Sequence, residues 1–369
     1  MASIFRNTTF EVNLNAISHN YTFFRNKLKA KTKLMAVVKA FAYGHGAIAV
    51  SKHLETIGAD YLAVAFIDEG VEIYQSGVEL PILIFNPNPE EFEAIVKNKL
   101  EPTVYNLDFL KDFLTYLAQN NIENHPIHIK LDTGMHRSGF LGIGLEELKS
   151  ILSKTTLVAV KSIYSHLAAS EDLAEKAFTQ AQIAIFKKNA IYISNDLYQK
   201  PLFHILNSSG IIHYPEAQFD MARLGISLYG SSSLENIQKK LQAVGTLKSV
   251  ITQVRTIAKG DTVSYKRKFI ASGKTVIATI PIGYADGINR HLGNGNSAVL
   301  LNGSLVPIVG IVCMDSLMLD VTNVQVKIGD TVVFFGTKHP VQYIADTLNT
   351  ISYEIFTSVS KRVKRVYVK

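Results

Sequence analysis

Short apolar or β-branched runs recur eight times in the first two-thirds of the chain, and helical spacing separates most of them. Eight strands that alternate with helices over about 200 residues are typical of a (β/α)8 barrel, an α/β fold. A doubly wound parallel sheet shows similar alternation, but the glycine fingerprint that usually follows its first strand is absent here. The predicted strands are Leu34–Lys39, Tyr61–Ala65, Ile82–Phe85, Thr103–Tyr105, Ile127–Asp132, Val160–His166, Phe203–Asn207 and Met221–Gly225.

Helices are predicted between these strands wherever apolar residues recur at intervals of three and four. Polar residues lie at or just after the carboxyl ends of five separate predicted strands. Because catalytic groups of such barrels gather at those ends, we expect these side chains to meet at one mouth of the barrel. The predicted helices are Ala47–Ile57, Asp68–Ser76, Pro89–Lys97, Leu107–Asn120, Leu145–Ser153 and Glu171–Asn195, and the polar residues are Lys39, Asp132, His166, Asn207 and Arg223.

The pattern changes after about residue 240, where strand-like runs follow one another with glycine turns between them. Asn302-Gly303, placed between two alternating runs, is a strong hairpin signal. We therefore predict a barrel domain over 1–240 and a mostly antiparallel β domain over 241–369. The predicted strands of the second domain are Thr246–Ile257, Lys274–Pro281, Ser297–Leu301, Leu305–Met314 and Thr331–Phe335.

The formal net charge of +7 arises partly from the basic tail over 361–369. Such a tail can bind nucleic acid or a membrane surface, or it can be a strand with basic residues on its solvent face. We favour the strand, because the chain has no tryptophan and the tail has no interleaved aromatic platform. The predicted partner is therefore a small molecule, not nucleic acid or a membrane.

Several classes of site are excluded by what the sequence lacks. A single cysteine, Cys313, allows no internal disulfide and no multi-cysteine metal site. Eleven histidines show no metal-like pairing, His45 beside glycines is predicted to be structural, and no phosphate loop of the nucleotide hydrolases occurs. No secretory signal is recognised in Met1–Leu14 and no run is long enough to cross a bilayer, so we expect a cytoplasmic protein.

Lys39 lies at the end of an apolar run and just before a glycine-rich turn. Burial disfavours the ammonium form of lysine, and a neutral amine is what a lysine that bonds covalently to a carbonyl cofactor needs. A lysine at a strand end can also simply extend its amine into solvent.

The stretch from Val37 to Gly46 resembles the cofactor-lysine motif of the alanine racemases, fold-type III enzymes that use pyridoxal 5'-phosphate (PLP). The resemblance continues in order over about 320 residues, so it does not rest on one motif. The further matching blocks are Lys130–Gly139, Tyr164–His166, Asn207–Ser208, Arg223–Ile226, Val263–Tyr265, Gly283–Gly287, Cys313–Asp315 and Ile351–Glu354.

This resemblance implies a two-base racemisation of alanine. Lys39 would bind PLP covalently and serve as the base facing D-alanine, while Tyr265 would remove the α-proton of L-alanine on the other face. A tyrosine with a pKa near its usual ~10 is a poor base, so a positive surrounding must favour the phenolate. In the family His166 lies between this tyrosine and the arginine matched by Arg223, which donates a hydrogen bond to the pyridine nitrogen. Because an arginine does not protonate that nitrogen, side reactions such as transamination should be fewer.

The resemblance also assigns the groups around the cofactor and substrate. Arg137 would contact the phenolic oxygen of PLP and the substrate carboxylate, and Met314 would offer its backbone amide to that carboxylate. Lys130 matches a lysine that is often carbamylated, although a strand lysine paired with Asp132 or another acid is equally open. The remaining predicted cofactor-binding residues are Tyr43, Asn207, Ser208, Gly225, Ile226 and Tyr353.

In the family the residues matched by Tyr265 and Met314 reach the active site of the neighbouring subunit. The resemblance therefore implies a head-to-tail homodimer with shared active sites. It also implies a role in supplying D-alanine for peptidoglycan.

Three positions depart from the family's usual pattern. Phe41 replaces a polar residue, Ile311 stands where an arginine is common, and Ser316 replaces a glutamine, while Arg290 keeps part of the charged entrance. A less polar substrate channel is expected, so a broader amino-acid racemase is an alternative. A basic amino-acid decarboxylase should have a carboxylate in place of Arg223. A PLP-binding homeostasis protein should lack the β domain.

Overall fold

The computed structural model describes residues 8–369. Residues 1–7, which begin the predicted first domain and the segment assessed for a secretory signal, lie outside the described residues. Strand β1 (Thr9–Asn13) comes first, and it pairs antiparallel with Gly245–Val250 and parallel with Lys364–Val368. Helix α1 (Leu14–Arg25) follows at once, because the Asn13 side chain accepts a hydrogen bond from the amide of Ala16 and caps its first turn.

Eight parallel strands form a nearly closed barrel. The ladder runs without interruption from β8 through β7, β6, β5, β4, β3 and β2 to β9. Backbone hydrogen bonds from Asp220 to Phe203 and from Arg223 to Leu206 bring β9 beside the chain of β8. The strands are β2 Lys33–Val37, β3 Tyr61–Val64, β4 Ile82–Ile84, β5 Glu101–Val104, β6 His125–Lys130, β7 Val158–Tyr164, β8 Leu202–His204 and β9 Met221–Leu224.

Helices surround this barrel and bury one apolar face each. In the helix over Leu107–Gln119 the buried residues are Phe109, Leu110, Phe113 and Leu117, a spacing that places them on one side. The segment α2 (Lys39–Tyr43) is a single left-handed turn, and the right-handed helices are α3 Ala47–Thr56, α4 Ile67–Gln75, α5 Phe92–Lys97, α6 Leu107–Gln119, α7 Gly144–Leu152, α8 Lys176–Ser194, α9 Ser208–His213 and α10 Glu235–Gln238.

The last third of the chain forms a mostly antiparallel β structure. One sheet has nine strands in the order β11-β14-β17-β16-β15-β18-β10-β1-β19, and β12 and β13 pair separately. The predicted Asn302-Gly303 hairpin joins β15 to β16, with positive φ at both turn residues. The elements are β10 Gly245–Val250, β11 Gln253–Ile257, β12 Thr262–Val263, β13 Phe269–Ile270, β14 Thr275–Ile280, β15 Ala298–Leu301, β16 Ser304–Val309, β17 Leu317–Asp320, β18 Thr331–Phe335, α11 Val341–Thr347, α12 Ser352–Ser358 and β19 Lys364–Val368.

The predicted fold class, a (β/α)8 barrel followed by an antiparallel β domain, is confirmed. The predicted strand Leu305–Met314 is too long, because Gly310 takes a φ of +67° and ends β16 before it. β1 lies within 1–240 but hydrogen-bonds in the second sheet. The division into 1–240 and 241–369 therefore stays a prediction.

Candidate active site

A left-handed turn presents Lys39 at the carboxyl end of β2. Residues 40–43 all have φ between 51° and 57°, although none of them is glycine. Such a conformation costs L-residues about 1–2 kcal/mol each, so the surroundings must hold it. The amide of Ala40 donates to the Glu69 carboxylate at 2.5 Å, and the amide of Gly44 donates to the carbonyl of Ala40 at 2.9 Å.

His45 supports this turn from inside the protein. Its ring is fully buried, and Nδ1 donates to the carbonyls of Tyr43 at 2.9 Å and Ala42 at 3.1 Å. Burial lowers the pKa of His45 to about 3, so the ring is neutral. His45 thus acts as a structural residue that positions the turn between Lys39 and Tyr43.

A cavity of about 1300 Å³ opens at the carboxyl ends of the barrel strands. Most of the predicted site residues line it, although they come from several separate stretches of chain. Asp132 does not belong to this set, because its carboxylate is turned into its own loop and accepts hydrogen bonds from the amides of Gly134 and His136. The predicted residues that line the cavity are Lys39, Tyr43, Lys130, Arg137, His166, Asn207, Ser208, Arg223, Gly225, Ile226 and Tyr353.

Two lysines of the cavity have weakened proton affinity. Burial, and next the guanidinium of Arg137, lower the pKa of the Lys39 amine, which favours its neutral, nucleophilic form. Burial and the charges of Arg137 and Arg223 lower the pKa of Lys130 to about 8. The Lys130 amine donates to the Ser138 hydroxyl at 2.6 Å, so Asp132 is not its hydrogen-bonded partner here.

Arg223 lines the cavity from β9 and is almost fully buried. It donates to His204 Nδ1 at 2.6 Å, to His166 Nδ1 at 3.2 Å and to the carbonyl of Ser165 at 2.6 Å. Burial lowers the pKa of Arg223 to about 10, which still leaves it charged near neutral pH. Burial and the surrounding cations hold the pKa of His166 well below its usual range, so His166 accepts from Arg223 as a neutral ring.

A cluster of hydroxyls and backbone amides near Arg223 is a candidate anion cradle. The amide of Gly225 donates to the Ser208 hydroxyl at 3.0 Å, and a Cβ at Gly225 would come 3.1 Å from the Tyr43 hydroxyl. Burial raises the pKa of Tyr43 and raises that of Tyr353 to about 12, so both phenols keep their donor hydrogen. Neutral donors around a glycine allow the close approach that a phosphate requires.

The loop between β6 and α7 brings Arg137 to the cavity. Asp132 holds this loop through the amide contacts described above, and Gly139 at a φ of +123° lies so close to Asp132 that a Cβ would clash with its amide. Asn207 has a comparable role on its own loop. Its Oδ1 accepts from the amide of Gly210 at 2.9 Å and from the Ser170 hydroxyl at 2.7 Å, which caps α9.

Tyr265 and Met314, a predicted base and a predicted substrate-binding residue, lie outside the lining of the cavity within the described chain. They lie on adjacent loops of the β domain, because the Ser264 hydroxyl donates to the carbonyl of Ile311 at 2.6 Å. Tyr265 is 67% exposed and Met314 is 53% exposed. Neither side chain can act on the cavity of its own chain from this position.

The departures from the usual family pattern have distinct surroundings. Phe41 lies in the left-handed turn with the Lys361 amine 4.9 Å from its ring centre and the Arg365 guanidinium 5.4 Å from it. Ile311 is buried beside the Tyr265 loop, while Ser316 is partly exposed. Arg365 is also not a solvated tail residue, since it donates to the carbonyl of Gly44 at 2.9 Å.

Sequence reasoning missed a set of polar side chains beneath the cavity, of which His204 touches Arg223 directly. These residues are polar positions inside short apolar strands, and that contrast is the one feature of the sequence that marks them. Among residues 8–369, no group of three or more histidine, cysteine or acidic side chains is arranged to hold a metal ion. The described helices include none with the length and apolar character to cross a membrane.

Two family models cover nearly the whole chain. The model described as "Alanine racemase, N-terminal domain" matches residues 12–233, and "Alanine racemase, C-terminal domain" matches residues 244–367. The chain belongs to the alanine racemase family. Alanine racemase 1 of Caldanaerobacter subterraneus subsp. tengcongensis is 38% identical over 373 residues, which span 98% of this chain and 95% of the relative.

Solved alanine racemases share the fold throughout. The enzyme of Clostridium difficile 630 superposes with a TM-score of 0.92 at 34% identity, over 99% of this chain and 97% of that one. The enzyme of Bartonella henselae, described with covalently bound pyridoxal phosphate, superposes with a TM-score of 0.87 at 32% identity, over 98% and 99% of the two chains. The alanine racemase family depends on PLP, and the cradle at Gly225, the cationic floor at Arg223 and the Lys39 amine fit that cofactor.

Proposed function

We propose that this chain interconverts L-alanine and D-alanine with PLP held at the mouth of its barrel. The observation that carries the proposal is the Lys39 amine, whose pKa is lowered inside a cavity that is also lined by the hydroxyl-bearing residues Tyr43, Ser208 and Tyr353. Tyr43, Ser208, Tyr353 and the amides of Gly225 and Ile226 would hold the phosphate. Bound PLP supplies an electron sink that acidifies the α-hydrogen of the substrate.

Each face of the substrate needs its own proton-transfer group. Lys39 would hold the cofactor, and its free amine would hold or give the α-proton on the face of D-alanine. Arg223 would donate to the pyridine nitrogen, while its observed contacts with His204 and the Ser165 carbonyl fix the guanidinium plane. Because Arg223 stays charged, it lends no proton to that nitrogen and limits how far negative charge spreads into the ring.

We propose that the second face is served by Tyr265 of the partner subunit in a head-to-tail homodimer. The support is that Tyr265 and Met314 are exposed on adjacent loops and away from their own cavity. Next to His166 and Arg223 of the barrel, the Tyr265 phenol would lie in a positive field that stabilises phenolate. The amide of Met314 would bind the substrate carboxylate, and Asn207 would keep the Ser208 loop in place.

Arg137 and Lys130 would act together on the substrate side. Arg137 contacts the substrate carboxylate and the phenolic oxygen of the cofactor. The pKa of Lys130, about 8, leaves a useful fraction of neutral amine to react with carbon dioxide and release one proton. The resulting carbamate would be negatively charged, so the repulsion between the Lys130 ammonium and Arg137 would become an attraction. Protein exchanged into ¹³C-bicarbonate should show a carbamate signal in ¹³C spectra that a Lys130→Ala variant lacks.

We further propose that this enzyme supplies D-alanine for peptidoglycan and acts in the cytoplasm. A racemase with wider specificity is the second candidate, since Phe41 and Ile311 stand where the family usually carries polar residues.

The deciding experiment is chiral chromatography of L-alanine incubated with PLP-loaded protein, with Lys39→Ala as control. A near-equal mixture of the two enantiomers with wild type and unchanged L-alanine with the variant supports the proposal. Unchanged L-alanine with a wild-type protein that binds PLP would refute it. L-Serine and L-lysine in the same assay separate a strict alanine enzyme from a broader one.

A further inference from the structure

A continuous chain of hydrogen bonds crosses the barrel interior below the cavity. It begins at Arg223 on β9 and takes one side chain from each successive strand, through β8, β7 and β6 to Glu101 on β5. All members are buried, with relative exposures from 0% to 7%. The steps are Arg223 Nη1 to His204 Nδ1 at 2.6 Å, His204 Nε2 to Ser162 Oγ at 2.8 Å, Ser162 Oγ to His128 Nδ1 at 2.6 Å, and His128 Nε2 to Glu101 Oε2 at 2.7 Å.

The two ends of the chain determine the direction of every bond within it. A guanidinium can only donate, so His204 Nδ1 accepts and its hydrogen must lie on Nε2. Ser162 then accepts from His204, and its own hydrogen goes to His128 Nδ1. His128 is left with its hydrogen on Nε2, where it donates to Glu101. The opposite tautomer at either histidine would place two donors or two acceptors face to face.

This arrangement links a buried cation to a buried anion through neutral groups. The direct partners of Arg223 are two carbonyl oxygens and two histidine nitrogens, none of them charged. Burial and the charge of Arg223 keep the pKa of His204 well below its usual range. The charge that balances Arg223 along the chain is therefore Glu101, four hydrogen bonds away, which also receives a hydrogen bond from Tyr61.

We propose that Glu101, His128, Ser162 and His204 are positioning residues that orient Arg223 and hold it as a permanent donor to the cofactor's pyridine nitrogen. The contact with the pyridine nitrogen rests on the proposed function, whereas the direction of the chain does not. The one-way order of the bonds resists reversal, because reversal would require Arg223 to lose its proton.

The first test reads the tautomers directly in the PLP-loaded wild-type protein. Long-range ¹H–¹⁵N spectra of histidine-labelled protein distinguish hydrogen on Nδ1 from hydrogen on Nε2, and single histidine substitutions assign the signals. We expect both His128 and His204 to carry their hydrogen on Nε2. A hydrogen on Nδ1 of either ring, or an imidazolium at His128, would overturn the proposed direction.

The second test breaks the chain at its middle by Ser162→Ala. We expect kcat to fall about tenfold, which is typical of one lost hydrogen bond between buried partners, while KM for alanine changes less than about twofold. Ser162→Cys, which keeps a weak donor, should recover part of kcat. Equal kcat in Ser162→Ala and wild type, or a loss confined to KM, would count against the positioning role.

Ser249→Ala is the matched control for this substitution. Ser249 is fully buried, and its hydroxyl makes one buried hydroxyl contact, with Thr8 at 2.8 Å, in the other sheet. Its kcat should stay at the wild-type value, and an equal loss in both variants would mean that general destabilisation explains the effect. If PLP-loaded wild-type protein leaves alanine unchanged, the proposed function fails. The tautomers of His128 and His204 would still show whether the hydrogen bonds run in the proposed direction.

Discussion

The barrel mouth and the Tyr265 loop contribute to the proposed site in opposite ways. At the mouth, charged side chains are buried and held in place by hydrogen bonds, as Arg223 is by four of them. On the loop, Tyr265 stands mostly in solvent between backbone positions of positive φ at Ser264 and Lys266. In the proposed shared site, each chain thus contributes a buried half that is already held in place and an exposed half that acts only on the cavity of its partner.

This difference teaches that burial, and not residue type, decides what these groups can do. Desolvation lowers the pKa of Lys39 because the amine lies in the cavity. Tyr265 stays mostly in water until another surface covers it. Substitutions in the Tyr265 loop should therefore leave the affinity of the barrel for PLP unchanged. The contribution of the loop to activity should instead depend on dimer formation.

The largest expected effect is that of Lys39→Ala. Loss of the proposed covalent anchor and of one of the two proposed bases should lower racemisation on the order of 10⁴-fold or more. Lys161→Ala, on the exposed side of β7, is the matched lysine control and should stay within twofold of wild type. Retention of a tenth of the activity by Lys39→Ala, measured by chiral chromatography, would contradict its role.

Tyr265→Phe should come next, with a loss of about 10³-fold. The sharper measurement mixes it with Lys39→Ala under conditions that allow subunits to exchange. A heterodimer then contains one site with an intact Lys39 and an intact Tyr265 from the other chain. About one quarter of wild-type activity should return, because half of the dimers are mixed and one of their two sites is intact. Mixed dimers that form but stay inactive would refute a shared site.

Gly225→Ala addresses the cradle within the barrel half. The added methyl would lie 3.1 Å from the Tyr43 hydroxyl and occupy space needed by a phosphate. We expect the affinity for PLP, measured by absorbance titration of the apoprotein, to fall about tenfold. Gly273→Ala is the control, since a Cβ there meets nothing within 4 Å. Equal affinities in the two variants would place the phosphate elsewhere.

The smallest expected effect concerns Phe41, whose ring lies in the turn after Lys39 and contacts Lys361 near the end of the chain. The Lys361 amine lies over the Phe41 ring, so a double-mutant cycle of Phe41→Leu and Lys361→Met should show a coupling of about 0.5–1 kcal/mol in urea unfolding. Additive effects would mean that this contact adds no stability. Phe41 belongs to the turn that presents Lys39, so the measured coupling reports how strongly Lys361 stabilises that turn.

The barrel could be predicted well from the sequence because its signal is local and repeated. Each apolar run is a strand buried on both sides, and the parallel order then forces their carboxyl ends to one mouth. The order of the strands alone therefore suffices to place Lys39, His166 and Arg223 together. Asp132 also follows the carboxyl end of a barrel strand, but its carboxylate accepts hydrogen bonds from the amides of its own loop and is turned away from the cavity. The order of residues along the chain does not encode that local geometry.

Other features could not be predicted from the chain. Alanine and phenylalanine give no indication of positive φ, so the left-handed turn after Lys39 leaves no trace in the residue types. The strand pattern of Thr9–Asn13 does not reveal which sheet it joins. Glu101, His128 and His204 lie in short strands where one polar residue inside the barrel is indistinguishable from one outside.

The pairing of β1 with β10 and β19 has a consequence for synthesis of the protein. The barrel strands all lie between residues 33 and 224, so the barrel can assemble while the ribosome is still translating the rest. β1, by contrast, waits for β10 on one side and for Lys364–Val368 on the other. The second sheet can therefore be completed only after residue 368 has left the ribosome, and until then β1 keeps an unpaired edge.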